Sequence, residues 1–423
     1  MKRAFALTLI GIAVVTVSCR QTEPAKQAPP AESALNLSIQ PVNVPAAGDS
    51  GYAQLTASDR GVILSWLERT DDLATLKFSE LAADAWGPAT TVASSSNWFI
   101  TEADVPAVMR MSDGRLVATT YPSVDPEIEA YDLQLSYSRD EGKTWSKPFT
   151  PHHDKKKAQH GFASLFEMPD RALGMVWLDG RTMEPETADP QRGAMSVYFA
   201  SFDAGWKQTA ESSIDARVCE CCPTAATMTA DGPIVAFRDR TNEEIRDIHV
   251  ARLDRPSASQ EAAGTWTAGA AVHADNWRIE ACPVNGPALA ARGRTAALAW
   301  FTAAGNDGHA YAAFSQDAGR TWGEPIRVDD HTSLGRVDIE LADDGSAVAT
   351  WIEFANERAQ LTVRQVKPSG ERSKAVVLAG ADDHRVRGYP RLARAGKDLV
   401  FAWSESGNGP GPQQIRAAVG RLK

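Results

Sequence analysis

Four cysteines in two clusters are the side chains of this sequence best suited to chemistry. Cys219, Cys221 and Cys222 fall within one tetrapeptide and Cys282 stands alone further on, with Pro223 and Pro283 directly after the two clusters. Thiols at such spacing can form disulfides, hold a soft ion as thiolates, or cycle as a redox pair. A thiolate site on these sulfurs, assisted by His160, would suit Cu(I) or Zn(II). Adjacent cysteines do not easily both ligate one tetrahedral ion, so a disulfide from Cys221 or Cys222 to Cys282 is the preferred expectation. All three chemistries remain open at the level of sequence.

The elements that must position these thiols repeat along the chain. Short apolar runs end in an aromatic residue seven times, at Trp66, Tyr121, Trp177, Phe237, Trp300, Trp351 and Trp403. The intervals are 55, 56, 60, 63, 51 and 52 residues. A near-constant period of alternating runs marks one small sheet per repeat, and such sheets bury their faces only by stacking on their neighbours. The pattern predicts an all-β chain: a β-propeller of seven four-stranded blades, with six as the alternative. Asp-Gly and similar pairs before the runs, as at 113–114, 231–232 and 344–345, predict hairpins between the two innermost strands. The last repeat ends one strand short, and residues 35–44 have no hairpin of their own, so an N-terminal strand is expected to close the last blade.

In such a blade, the loop leading into the innermost strand and the loop after the second strand share one face, around the channel mouth. Read in order, the lead-in loops give Tyr52, Glu102, Asp104, His160, the cysteines, Glu280, Arg336, Arg387 and Tyr389. The other loops add Asp179, Arg181, Arg238, Asp239, Arg240 and Glu405. Polar groups converging on one rim are the expected form of a binding site. Tyr52, His160, Arg181, Arg238 and Glu280 are the ligand-binding candidates. Trp98 and Trp277, in the matching segments Asn-Trp-x-Ile, join them as platforms for a sugar face, or else wedge between blades. The charged stretch 238–247 is expected to pair with itself or to clamp an anion.

The N-terminus supplies an address. Lys2 and Arg3 precede an apolar run over 4–17, too short to span a bilayer comfortably, which stops at Ser18 and Cys19. Small residues before a cysteine resemble the bacterial lipobox. That resemblance implies a signal peptide over 1–18 and lipidation of Cys19; Arg20 then favours the outer membrane of a Gram-negative envelope. Residues 19–34, rich in Pro, Ala and polar side chains, read as a flexible tether before a propeller over 35–423. A net charge of −10 argues against nucleic acid and against a membrane contact other than the lipid.

Two octapeptides, at 138–145 and 315–322, both read Ser-x-Asp-x-Gly-x-Thr-Trp, with degenerate copies at 79–86 and 202–206. These are Asp-box (BNR) repeats, and the chain resembles the sialidase-like propellers over most of its length. The resemblance implies that the boxes are structural turns on the face opposite the active site. It also implies an exo-α-sialidase-like glycoside hydrolase, if the chain is an enzyme. Family members grip a carboxylate with three arginines and use a Tyr nucleophile assisted by Glu, with an Asp acid/base. Here Arg336, Arg387 and Tyr389 are the partial equivalents, with Asp104 as acid. The family's first arginine motif is absent, Gly51-Tyr52 standing in its place, and the family enzyme has six blades. The leading expectation is a lipid-anchored propeller that binds, and in the enzyme case hydrolyses, a carbohydrate or small acidic ligand. A metal-binding or redox envelope protein is the alternative, and a non-catalytic interaction platform the third.

Overall fold

The computed structural model describes residues 32–35, 37–82, 85–183, 194–254, 264–380, 385–407 and 411–422. The signal peptide, Cys19 and most of the tether lie outside them. Seven mainly antiparallel blade sheets follow one another around a central channel, and a small hairpin of Ser123–Asp125 and Ala130–Tyr131 adjoins blade 2. Their innermost strands are Ser50–Ser58, Val108–Arg110, His160–Met168, Ala225–Thr229, Ala288–Arg292, Thr332–Leu341 and Arg385–Ala395, for blades 1 to 7. Blade 2 is the leanest. It has three strands and a single bridge from Leu135 to Phe149 where a fourth would run.

The ring closes as its sequence implies. Leu37–Val42 pairs antiparallel with the C-terminal strand Gln414–Leu422, from Leu37 opposite Leu422 to Val42 opposite Ala417, and forms the outer strand of blade 7. One expectation needs correcting: the end of the tether is not free. Glu32–Ser33 pairs in parallel with Arg372–Ser373 at the edge of blade 6, because that edge offers unmatched backbone groups.

The repeating aromatics are the core. Trp66, Tyr121, Trp177, Phe237, Trp300, Trp351 and Trp403 are all buried; six are wedged between their own blade and the preceding one, and Tyr121 between blades 2 and 3. Buried indoles need an acceptor for Nε1–H. Four of them find it two residues on: Trp66 donates to Glu68, Trp177 to Asp179, Trp351 to Glu353 and Trp403 to Glu405, at 2.8–3.2 Å. In a strand, residues i and i+2 share a face, so the Trp-x-acid spacing places the carboxylate beside the indole. Trp300 has no acid at that spacing and donates to Asp275 at 2.8 Å.

A second repeat lies at the top of the innermost strands. The pairing register slips between Gly51 and Gln54, Gly161 and Ser164, Gly335 and Asp338, and Arg387 and Arg391. At each slip one residue is left-handed: Tyr52 (φ 64°), Phe162 (55°), Arg336 (54°) and Gly388 (60°). Bulges re-aim side chains at sheet ends, and here they turn the strand tops toward the mouth. The N–H freed by the first three bulges is taken by a side chain of the preceding blade. Tyr52 donates to Ser404 Oγ at 3.1 Å, Phe162 to Asp104 at 2.8 Å and Arg336 to Asn285 at 2.8 Å.

The two Asp-box octapeptides fold alike. Asp140 and Asp317 each accept from the backbone N–H and hydroxyl of the threonine four residues on, and Ser138 and Ser315 take the glycine N–H at 2.9 Å. Those donors hold both carboxyls down at about 2. The degenerate copy at 202–206 keeps the core of this turn, with Asp203 accepting from Gly205 and Lys207.

Candidate functional site: the channel mouth

Two guanidiniums meet at one carboxylate. Arg387 on blade 7 lies 3.1 Å from Glu102, and Arg336 on blade 6 lies 4.0 Å from the same side chain. All three are partly open to solvent, and Arg336 also donates to Gly388 O at 2.7 Å. Below them Tyr52, Glu102, Gly388, Tyr389, Ser404 and Gln413 enclose a cavity of only about 10 Å³. The roomier space is the channel beneath, about 410 Å³, lined by the innermost strands and reaching the turns on the opposite face at Asp59 and Ser112. Asp338 and Glu340 line it from one strand, water reaching them while protein surrounds them. Burial pushes Asp338 up to about 6 and Glu340 up to about 8.

Tyr389 and Asp104 lie beneath that mouth with their polar atoms already engaged. Tyr389 is buried and its hydroxyl donates to the Val284 carbonyl. Burial pushes its pKa up, the opposite of what a nucleophile requires. Asp104 is 1 % exposed, with one oxygen accepting from Phe162 N–H and the other from Tyr131 Oη at 2.9 Å. Burial outweighs these bonds and raises it to about 7. It serves as a bracket between blades 2 and 3, as Asn285 does between blades 5 and 6.

The other candidates are mostly structural. Arg238 is buried and donates to Asn285 O, Arg246 O and Phe301 O, tying blades 4 and 5 together. Trp277 is buried beneath it, edge-on to Phe301. Trp98 packs among Ile100, Val92 and the cores of blades 1 and 2. Arg181 forks onto Asp179, reaches Glu211 and stacks on Tyr198. Tyr52 is half-buried under Arg69, and Glu280 is exposed beside Arg278. The charged stretch pairs within itself and with the cysteine loop: Arg240 and Arg246 both bind Glu244 and Glu220.

His160 is fully buried and its ring stacks on His152, 3.8 Å apart and nearly parallel, a partner the sequence reading missed. His152 Nε2 and His160 Nδ1 lie 3.7 and 3.8 Å from Asp132, while Asp154 faces the opposite ring edges at 2.9 and 3.3 Å. Burial, then His160, lowers the His152 pKa. Two imidazoles and a carboxylate are a metal-ligating set, but in parallel rings the lone pairs run side by side. They do not converge on one point, so the cluster as it stands is a packed network of imidazoles and carboxylates.

The cysteines do meet. Cys221 is bonded to Cys282 across blades 4 and 5, with Cα atoms 6.1 Å apart. Their sulfurs are therefore not thiolates, which corrects the thiolate-metal expectation. Cys219 and Cys222 remain buried thiols, their sulfurs 2.8 Å apart, and Cys219 Sγ lies 3.9 Å from Cys221 Sγ.

No protein-family model matches the sequence, and no curated protein matches it. Among solved structures, the polysaccharide lyase Uly1 is similar over 95 % of this chain and 94 % of its own, at 12 % identity and a TM-score of 0.51. A Hadza microbial sialidase is similar over 86 % of this chain and 74 % of its own (14 % identity, TM-score 0.48). The GH93 α-L-arabinofuranosidase of Fusarium graminearum covers 78 % and 95 % (13 % identity, TM-score 0.48). The likeness to the lyase is one of fold: the chain is a seven-bladed β-propeller.

Proposed function

We propose that this propeller binds a carboxylate-bearing carbohydrate at its channel mouth and does not hydrolyse it. The observation that carries the reading is the convergence of Arg336 and Arg387 on Glu102. Two guanidiniums from neighbouring blades aimed at one partly open carboxylate form an anion site, and Glu102 occupies the place of the ligand's own carboxylate. The polysaccharide class comes from the lyase that shares the fold. Hydrolysis is left out because Tyr389 is spent on a carbonyl and Asp104 on a backbone bracket. The address is the cell envelope, through a lipid on Cys19, as the apolar run and the small residues before that cysteine support.

Isothermal titration with uronate- and sialate-terminated oligosaccharides tests the site. Arg387→Ala should weaken binding about tenfold or more, since a charge-assisted contact contributes about 1.5–3 kcal/mol. Glu102→Gln should tighten it by removing the internal competitor. Equal affinity in parent and both variants, or release of free sugar, would sink the reading. Metabolic labelling with palmitate, absent from Cys19→Ser, tests the anchor.

A further inference from the structure

The geometry points to a second activity on the same rim: internal thiol–disulfide exchange, which moves a disulfide between the surface pair Cys221–Cys282 and the buried pair Cys219–Cys222. A disulfide that merely staples two blades has no need of a buried thiol against it, nor of a second thiol behind the first. Here Cys219 touches both its dithiol partner, at 2.8 Å, and one sulfur of the existing bond, at 3.9 Å. Cys219 and Cys222 are spaced C-x-x-C in the loop leading into blade 4, so a short ring can close between them without moving the blades. Cys282 is exposed and Cys221 half-buried, while Cys219 and Cys222 are inside. One end of the system faces external thiols and the other does not.

The step balances within the chain. Cys219 thiolate attacks Cys221 Sγ; the Cys219–Cys221 bond forms, the Cys221–Cys282 bond breaks, and Cys282 leaves as a thiolate that takes up a proton. Cys222 then gives up its proton and attacks Cys219 Sγ, and Cys221 departs as a thiolate and is protonated. Two thiols are oxidised, one disulfide is reduced, and the proton count is unchanged.

The surroundings separate the two thiols by role. Burial raises the Cys219 pKa, but the contact with Cys222 and the charges of Arg238 and Arg246 outweigh it and bring the thiol down to about 7. Arg246 Nη1 is 3.4 Å from that sulfur and is itself fixed by Glu220 and Glu244. Cys222, fully enclosed, is pushed up by burial and by Cys219, so it waits as the resolving thiol. Because the attack is internal, burial does not shield Cys219 from its target.

The test holds the intact chain in glutathione buffers poised to leave one disulfide per molecule. The sample is then quenched in acid, its thiols are labelled in two stages, and the bonds are mapped by mass spectrometry. The single-disulfide fraction should contain both Cys219–Cys222 and Cys221–Cys282. Cys222→Ser should accumulate the Cys219–Cys221 intermediate, and Cys219→Ser should leave Cys221–Cys282 alone; both variants retain Cys221 and Cys282. After a pH jump, exchange should speed up about fivefold from pH 6 to 7 and less than twofold from 7 to 8, following the thiolate fraction. A fraction holding only Cys221–Cys282 in the parent and in Cys222→Ser would overturn the proposal, as would a rate indifferent to pH.

Discussion

A carboxyl that accepts from a backbone N–H and a phenol, and that water does not reach, is held for structure. Asp104 is such a group, and its protonation is coupled to folding. Its folded pKa of about 7 lies above the unfolded value of 3.8. Its contribution is therefore complete below about pH 3.8 and is lost as pH rises through 7, where the buried group must ionise. Asp104→Asn keeps an acceptor for Phe162 N–H and cannot ionise. Between pH 4 and 8 the parent should lose on the order of 2–4 kcal/mol that the variant does not, read as diverging melting temperatures. Parallel curves would remove Asp104 from this role. The rim arginines were legible in the sequence because blade period alone puts Arg336 and Arg387 at the mouth. The bracket was not, since it depends on Tyr131 and Phe162, which reach Asp104 only in the folded ring. The same holds for His152, whose meaning comes from stacking on His160.

Elements of this propeller are joined by recurring small devices, some of them present as spacing in the sequence. Trp-x-acid at 66–68, 177–179, 351–353 and 403–405 was readable as a strand face, and it explains why Asp179 and Glu405 are occupied by indoles. The Gly-x pairs at 51–52, 161–162 and 335–336 mark the bulges, but a glycine in a strand has several meanings until its neighbour is known. At Gly161 the neighbour is decisive. A Cβ there would stand 1.9 Å from Asp104 Oδ2 and 2.6 Å from the Tyr131 ring, both buried and unable to yield. Gly161→Ala should cost about 2–4 kcal/mol, in the range of overpacking combined with a broken buried hydrogen bond. Gly48→Ala, with nothing within 4 Å, is the control and should leave unfolding unchanged. If chemical denaturation gives the two variants the same midpoint, the bracket is looser than its distances imply.

At the scale of the molecule, a ring of seven sheets is stable only if its last blade is locked to its first turn of chain. Blade 7 takes three strands from the C-terminus and the fourth, Leu37–Val42, from the N-terminus. Leu37 is buried with Leu392, Phe401 and Ala418, and Ile39 packs beside them, so the strand contributes core as well as backbone pairing. The missing strand could be inferred from sequence because a count of runs leaves the last repeat incomplete. The added contact of Glu32–Ser33 with blade 6 could not, since two polar residues carry no strand pattern. A mature chain beginning at Gly48 loses both contacts and exposes the long edge of Gln414–Leu422. Buried Leu37 at about 1.5–3 kcal/mol, half-buried Ile39 at less, and six paired residues put the loss on the order of 5 kcal/mol. For a ring of this size that corresponds to a fall of about 5–10 °C in melting temperature, with aggregation through the bared edge. A truncated chain that melts with the parent and stays monomeric would mean that closure rests on contacts between the faces of blades 7 and 1, such as those of Ala53 and Leu55 with Val400 and Val419, and not on the N-terminal strand.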